Sequence, residues 1–275
     1  MTIFFGSEPG SLAGVDKAML GSVQIWPPPL WTPAAAYGSD LLAWFDAQAA
    51  ATLDVSGVDA LSWDNLGALG GTALAEADPP HYSATARNGL PGLSSQGSSG
   101  SNHGFNMSQA GLPTGNADST ILVIGYLHEH NGTYRSAVEW GTGGDNQLRG
   151  VWGYQDDSLM GFANGAANDY MPGINWYGED QIMSFEYRGS DRQMSGTING
   201  ADTPPATRAM NAATGTDGPL ELMTTPYLTL QEIMIVGRCQ TAAERLKLHG
   251  YAAHKWGLTA LLPAGHPYKT APPTL

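Results

Sequence analysis

Carboxylates come first, because two of them at a set spacing can cleave a glycosidic bond as acid/base and nucleophile. On a strand, residues two apart share a face, so the Glu-x-Asp-x-(x)-Glu run of such enzymes would aim its carboxylates into one groove. No such run exists here. Glu129 lies between two histidines, Glu139 has no acidic residue two positions on, and Glu186 and Glu232 each stand alone. Asp156 and Asp157 are adjacent and point to opposite faces of an extended chain. No catalytic residue is assigned, and the protein is expected not to be an enzyme. A pair assembled from distant strands is the one route this scan leaves open. A nucleophile elbow and a Gly-rich loop opening a helix are both missing.

Metal chemistry fares little better. His128 and His130 share a face if extended, but no third ligand stands nearby, so turn histidines are the favoured reading. Calcium wants several oxygen ligands. Asp156, Asp157, Asn164, Asn168 and Asp169 are the densest such group, yet they lack a regular loop spacing and read as turn formers. No metal site and no cofactor are expected, calcium being the only ion given any weight.

Sugar binding needs an aromatic plate beside amides and carboxylates. The interval 152–177 supplies that mixture, and the candidate glycan contacts are Trp152, Tyr154, Asn164, Asp169, Tyr170 and Trp176. Against this stands the plainer reading that Trp152 fills a core and the Asn and Asp residues make turns. Trp44, Trp63 and Trp256 are assigned to the core or its edges.

The elements that must position these residues are short strands. Residues 41–46, 119–126, 135–140, 147–154, 159–163, 181–187, 191–199 and 228–236 all read as strands, with turn residues between them. The stretch 119–126 is apolar on both faces, as a fully buried strand would be. Asn131-Gly132 suggests a hairpin from it into 135–140, and Asn199-Gly200 a second turn. One helix is expected after Thr241-Ala242-Ala243-Glu244, which fits a capping box, with Gly257 at its end.

Composition agrees. Of 275 residues, 36 are Gly and 18 Pro, and only 13% are charged, against roughly 25% in an average globular chain. Long exposed helices lack the Lys, Glu and Arg they need, while 42% hydrophobic residues suffice for a core. The net charge of −13 disfavours phosphate backbones and anionic lipid, so neither nucleic acid nor membrane insertion is expected. A single cysteine, Cys239, excludes an intrachain disulfide and a Cys-based zinc site. The start of the chain has no basic n-region, so cytoplasmic synthesis is expected.

Trp44-Phe45-Asp46, Trp63-Asp64-Asn65, Ser195 through Gly200, Leu230 through Val236 and Gly250 through Leu258 resemble the signature of concanavalin-A-like, laminin-G-like jelly-roll domains. The closing run 262–268, Leu-Pro-Ala-Gly-His-Pro-Tyr, is similar to the same family. The resemblance implies an all-β, two-sheet antiparallel jelly-roll sandwich with one short C-terminal helix and a small N-terminal segment. The expected division is 1–26 as an anchor, 27–36 as a Pro-rich linker and 37–275 as the sandwich. Residues 15–26 resemble the leading segment of tail appendage proteins in tailed phages and gene-transfer agents. That implies anchoring through Phe4, Phe5, Met19, Leu20, Val23, Ile25 and Trp26 to other virion proteins. The function so implied is a virion component, a tail fibre or spike assembled in the host cytoplasm as a homo-oligomer and contacting a host-surface glycan. A ligand-free decoration protein is the alternative, and a polysaccharide depolymerase a more distant one.

Overall fold

The computed structural model describes residues 18–20, 23–26, 30–95, 103–128, 135–141, 147–153, 159–161, 170, 172–207, 218–225 and 227–275. Among these the strands, in chain order, begin with β1 (Ala18–Leu20), β2 (Val23–Trp26), β3 (Leu41–Asp46), β4 (Leu53–Ser56), β5 (Asp59–Asp64) and β6 (Thr72–Ala75). They continue with β7 (His81–Arg87), β8 (Leu90–Ser94), β9 (Phe105–Ser108), β10 (Ser119–Leu127), β11 (Arg135–Gly141), β12 (Leu148–Gly153) and β13 (Leu159–Gly161). The last are β14 (Asp180–Arg188), β15 (Gln193–Ile198), β16 (Ala201–Asp202), β17 (Ala206–Thr207), β18 (Pro219–Leu222) and β19 (Leu228–Val236). Two α-helices, α1 (Pro33–Tyr37) and α2 (Ala242–Lys255), complete the set.

Hydrogen-bond pairing sorts the main body into two antiparallel sheets. In the first, β19 runs between β10 and the pair β3 and β8; β7 lies outside β8, and β10 leads on through β14 to β15, which carries β16 and β17. The second runs β4–β5–β6–β9–β18–β11–β12–β13. Among the described residues a single pairing, Asp59 with His81, joins the two. The fold is therefore the all-β sandwich that the resemblance implies, with β1 and β2 paired as their own two-stranded ladder.

The expected hairpin between 119–126 and 135–140 does not form. Strand β10 pairs with β14 on one edge and β19 on the other, so neither edge is left for β11, which lies in the opposite sheet. Residues 129–134, including Asn131 and Gly132, lie outside the described set. The turn at Asn199-Gly200 does form: both residues have positive φ, 52° and 82°, and join Ile198 to Ala201.

Between the sheets, Phe45 of the first meets Trp63 of the second with ring centroids 5.4 Å apart, and Trp63 meets Phe105 at 6.0 Å. Strand β10 is apolar on both faces because both are covered. Ile121 and Val123 are cross-strand neighbours of Phe185 and Met183 on β14 and of Ile235 and Ile233 on β19; their row faces the second sheet. The other face lies under α2. That helix starts with the expected capping box: Thr241 Oγ1 accepts from Glu244 N–H while Glu244 reaches back to Thr241 N–H.

Glu232 sits fully buried where α2 crosses the first sheet. Its carboxylate accepts from Trp44 Nε1 at 2.7 Å, Trp256 Nε1 at 2.6 Å, Tyr251 Oη at 3.0 Å and Lys255 Nζ at 2.8 Å. Lys255 also pairs with Asp46 at 2.7 Å. Burial pushes the Glu232 carboxyl upward, and Lys255 and the Trp256 N–H oppose this. Every partner donates, so the cluster is satisfied by the ionised form. Glu232 does not stand alone; three of the runs carrying the family resemblance, 44–46, 230–236 and 250–258, converge on it.

The expected linker 27–36 is corrected in its distal half. Trp31 is buried, donates its N–H to Pro273 O at 3.0 Å and meets Tyr37 and Tyr251 ring to ring. Thr32 then caps α1. Burying a tryptophan outweighs the extended preference of the preceding prolines.

Beneath α2, His249 is fully buried; its Nδ1 accepts from Gly200 N–H at 3.0 Å, so Nε2–H donates to Ser184 Oγ at 2.8 Å. Burial holds its pKa down to about 3.

Two outcomes follow for stability. Glu232→Ala leaves Lys255 and two indole N–H groups without their shared acceptor and is expected to cost about 3–5 kcal/mol in urea unfolding. Because His249 is neutral when folded and has an ordinary pKa when unfolded, stability falls as pH drops from about 6.5 toward 3. The slope is up to ~1.4 kcal/mol per pH unit. Unfolding curves of wild type and His249→Gln at pH 7.5 and 5 should show the variant losing less on acidification.

Candidate functional site

The outer face of the second sheet gathers carboxylates that the sequence keeps far apart. Strands β11 and β18 pair so that Val138 faces Leu222 and Trp140 faces Leu220, all buried in the core. Period-two alternation then puts Glu139 and Glu221 on the outer side, directly opposite each other. Glu221 in turn faces Asn106 on β9, and Asn106 faces Leu74 on β6. A row of polar side chains thus crosses three adjacent strands and ends at an exposed leucine. Glu76, just past β6, closes the group by accepting from Asn106 Nδ2 at 2.5 Å.

Residues beside the row hold it in place. Glu139 also faces Gly150 on β12. A Cβ at Gly150 would lie 2.7 Å from the Trp152 ring, so the indole lies over that glycine. From there Trp152 Nε1–H donates to Glu139 Oε2. Glycine at 150 lets the ring descend onto the sheet and reach the carboxylate.

The electrostatics are those of a crowded pair. The Glu221 carboxyl is pushed up to about 7, first by burial, then by its hydrogen bond with Glu139, then by the charges of Glu139 and Glu76. Near neutral pH the pair therefore holds a proton that can be given or taken, the property general acid/base chemistry requires. This is the distant-strand pair that scanning one strand at a time cannot find. Its only sequence signal is that Glu139 and Glu221 each sit between two apolar residues of a strand, Val138 and Trp140 in one and Leu220 and Leu222 in the other.

The sequence-predicted glycan contacts fall elsewhere. Trp152 is 4% exposed, Tyr170 2% and Trp176 fully buried, so none offers a ring face to a sugar. As stacking plates these three are corrected. Trp152 positions Glu139. Tyr170 packs on Phe185 and donates to Pro204 O at 2.7 Å. Trp176 lies in the core, donating to Gly125 O at 3.3 Å. Burial wins because each ring has a nearby acceptor for its polar atom and covers a large apolar area. Tyr154, Asn164 and Asp169 lie outside the described residues, as do Phe4, Phe5, Asp156, Asp157, Asn168 and His130. Met19, Leu20, Val23, Ile25 and Trp26 fall in or beside the β1–β2 ladder. Among the described residues no group of three or more His, Cys, Asp or Glu side chains is placed to hold a metal ion. His128 bonds Thr229 Oγ1 at 2.6 Å instead.

Replacing Glu221 by Gln removes a carboxyl whose folded pKa exceeds its unfolded one. Its stabilising contribution is present below about pH 4.5 and lost as pH rises through about 7. Glu221→Gln should therefore raise Tm at pH 8 and change it little at pH 4.5, as read by differential scanning calorimetry.

No protein-family model matches this chain, and no curated protein matches it. Solved structures do. The binding domain of Paraclostridial Mosquitocidal Protein 1 aligns with a TM-score of 0.54 at 10% identity, over 77% of this chain and 52% of that one. Trypanosoma rangeli sialidase in complex with 2,3-difluorosialic acid aligns at 0.49 and 14% identity, over 75% of this chain and 32% of that one. The same sialidase with sialic acid aligns at 0.48 and 14%, over 81% and 35%. This chain thus spans between a third and a half of the proteins it matches, and at such identities the likeness is one of fold. The expectation that the protein is not an enzyme is corrected here, because sialidases, which are enzymes, are among the structures that align with it. What the chain shares with the mosquitocidal protein's binding domain is the fold of a β-sandwich.

Proposed function

We infer that this protein is a carbohydrate-binding β-sandwich whose saccharide lies along the outer face of the second sheet, over Glu139, Glu221 and Asn106. The observation that carries this reading is the register that sets two carboxylates and an amide in one row across three strands. Sugar hydroxyls each donate and accept, so they match a row containing a carboxylate, a carboxyl that is half protonated near pH 7 and an amide.

The same reading places the domain on a phage-like tail appendage, held through residues 1–26 and present in several copies so that weak sites add. Its support is the sequence pattern of the leading segment and the ladder that β1 and β2 form by themselves. A ligand-free decoration protein is the alternative.

A glycan array with the full chain tests the central claim. Wild type should bind at least one glycan, and the Glu139→Gln, Glu221→Gln double variant should bind it at least ~10-fold more weakly. A silent array from folded wild type sinks the reading and favours the architectural one. A reducing-end assay on the bound glycan separates binding from cleavage. Deleting residues 1–26 should abolish particle incorporation while the sandwich keeps its melting temperature; incorporation of the truncated chain refutes the anchor.

A further inference from the structure

The first sheet carries a cavity of about 220 Å³ on its outer face, beside the start of α2 and on the other side of the sandwich from the carboxylate row. The register explains its lining. Glu186 on β14 faces Ser195 on β15, and Thr197 faces Asp202 on β16, so these four share the outer side. Gln240 and Arg245, just before and within α2, close the cavity from the helix side.

Its ion pairs around Arg245 are loosely held. Arg245 reaches Glu186 at 3.4 Å and Asp202 at 3.3 Å, longer than the roughly 2.7–2.9 Å of a committed charge-assisted bond. Glu186 is 6% exposed; its Oε1 accepts from Gln240 N–H at 2.9 Å, which leaves Oε2 with only the long Arg245 contact. The Ser195 hydroxyl has no hydrogen-bond partner among the described residues. Arg188 also lines the cavity but is held by Asp191 at 2.8 Å and Gln193 Oε1 at 2.6 Å, so Arg245 alone answers Glu186 and Asp202 and an anionic ligand is disfavoured. Groups that donate and accept at once satisfy such a wall best, and hydroxyls are those groups. The volume lies below the roughly 300–1,000 Å³ of drug-sized pockets, which leaves room for one sugar ring.

We propose that this cavity is a second, separate subsite that takes a single neutral monosaccharide unit, its hydroxyls bridging Glu186, Ser195, Asp202 and Arg245. The ligand class rests on the carbohydrate reading above; the location does not. With one site on each side of the sandwich, the domain can hold two saccharide units at once.

Titrating the full chain with methyl glycosides of glucose, galactose, mannose and N-acetylglucosamine, followed by ¹⁵N-resolved NMR, tests this. At least one glycoside should bind in the millimolar range and shift the Arg245 Nε–H and the Ser195 and Thr197 amides. Ser195→Phe, which fills the cavity without removing an ion pair, should weaken that binding at least 10-fold, whereas Glu221→Gln should leave it unchanged. Should Ser195→Phe fail to fold, the wild-type shift map decides by itself. Shifts confined to the second sheet, loss of binding in Glu221→Gln alone, or no shift with any glycoside overturns the subsite. The first two of these results leave the carboxylate-row reading standing, so the two claims fail separately.

Discussion

A carboxylate buried without a drop of exposed surface organises this molecule. Glu232 lies at the crossing of β19, β3 and α2, and each of its four donors comes from a different position on those elements. An ionised carboxylate out of water is costly unless its lone pairs are filled and a countercharge is near. Two indoles, a phenol and an ammonium supply both. The cost of misplacing any of them ties the helix to one position and one rotation on the sheet. His249, one turn and a half earlier on α2, repeats the device in neutral form by bonding Ser184 and the turn glycine Gly200.

Docking the helix makes the two sheets unequal. The first has its outer face covered by α2 and the C-terminal tail except beside the helix start, where a polar cavity remains. The second carries no helix among the described residues, and its outer row of Glu139, Glu221 and Asn106 is half-buried rather than sealed. Surface left open by the fold is where polar, titratable groups collect. The crowding of Glu221 against Glu139 is tolerated because water still reaches the pair and a shared proton relieves the repulsion.

Much of the fold was legible because it depends on local pattern. Leu41–Asp46 and Leu228–Val236 are strands with the bounds that the sequence reading gives them, and Thr241 with Glu244 is the helix start that a capping box predicts. Asn199-Gly200 turns because only such residues accept positive φ cheaply. Asn131-Gly132 misled for a reason of topology: the strand before it, β10, has both edges occupied by strands distant in sequence.

For the aromatics, residue type alone could not separate a plate from a core filler. Trp152, Tyr170 and Trp176 have the chemistry to stack on sugar, and burial decides against it, a quantity that belongs to the whole packed structure. The Glu139–Glu221 pair escaped for the converse reason, since a separation of 82 positions becomes contact only through the β11–β18 register. Periodicity, capping and turn chemistry act over a few residues, so the sequence alone determined many of the strands, the helix and the all-β class. Strand neighbours, burial and shared protons depend on contacts between remote segments, and those only the tertiary structure decided.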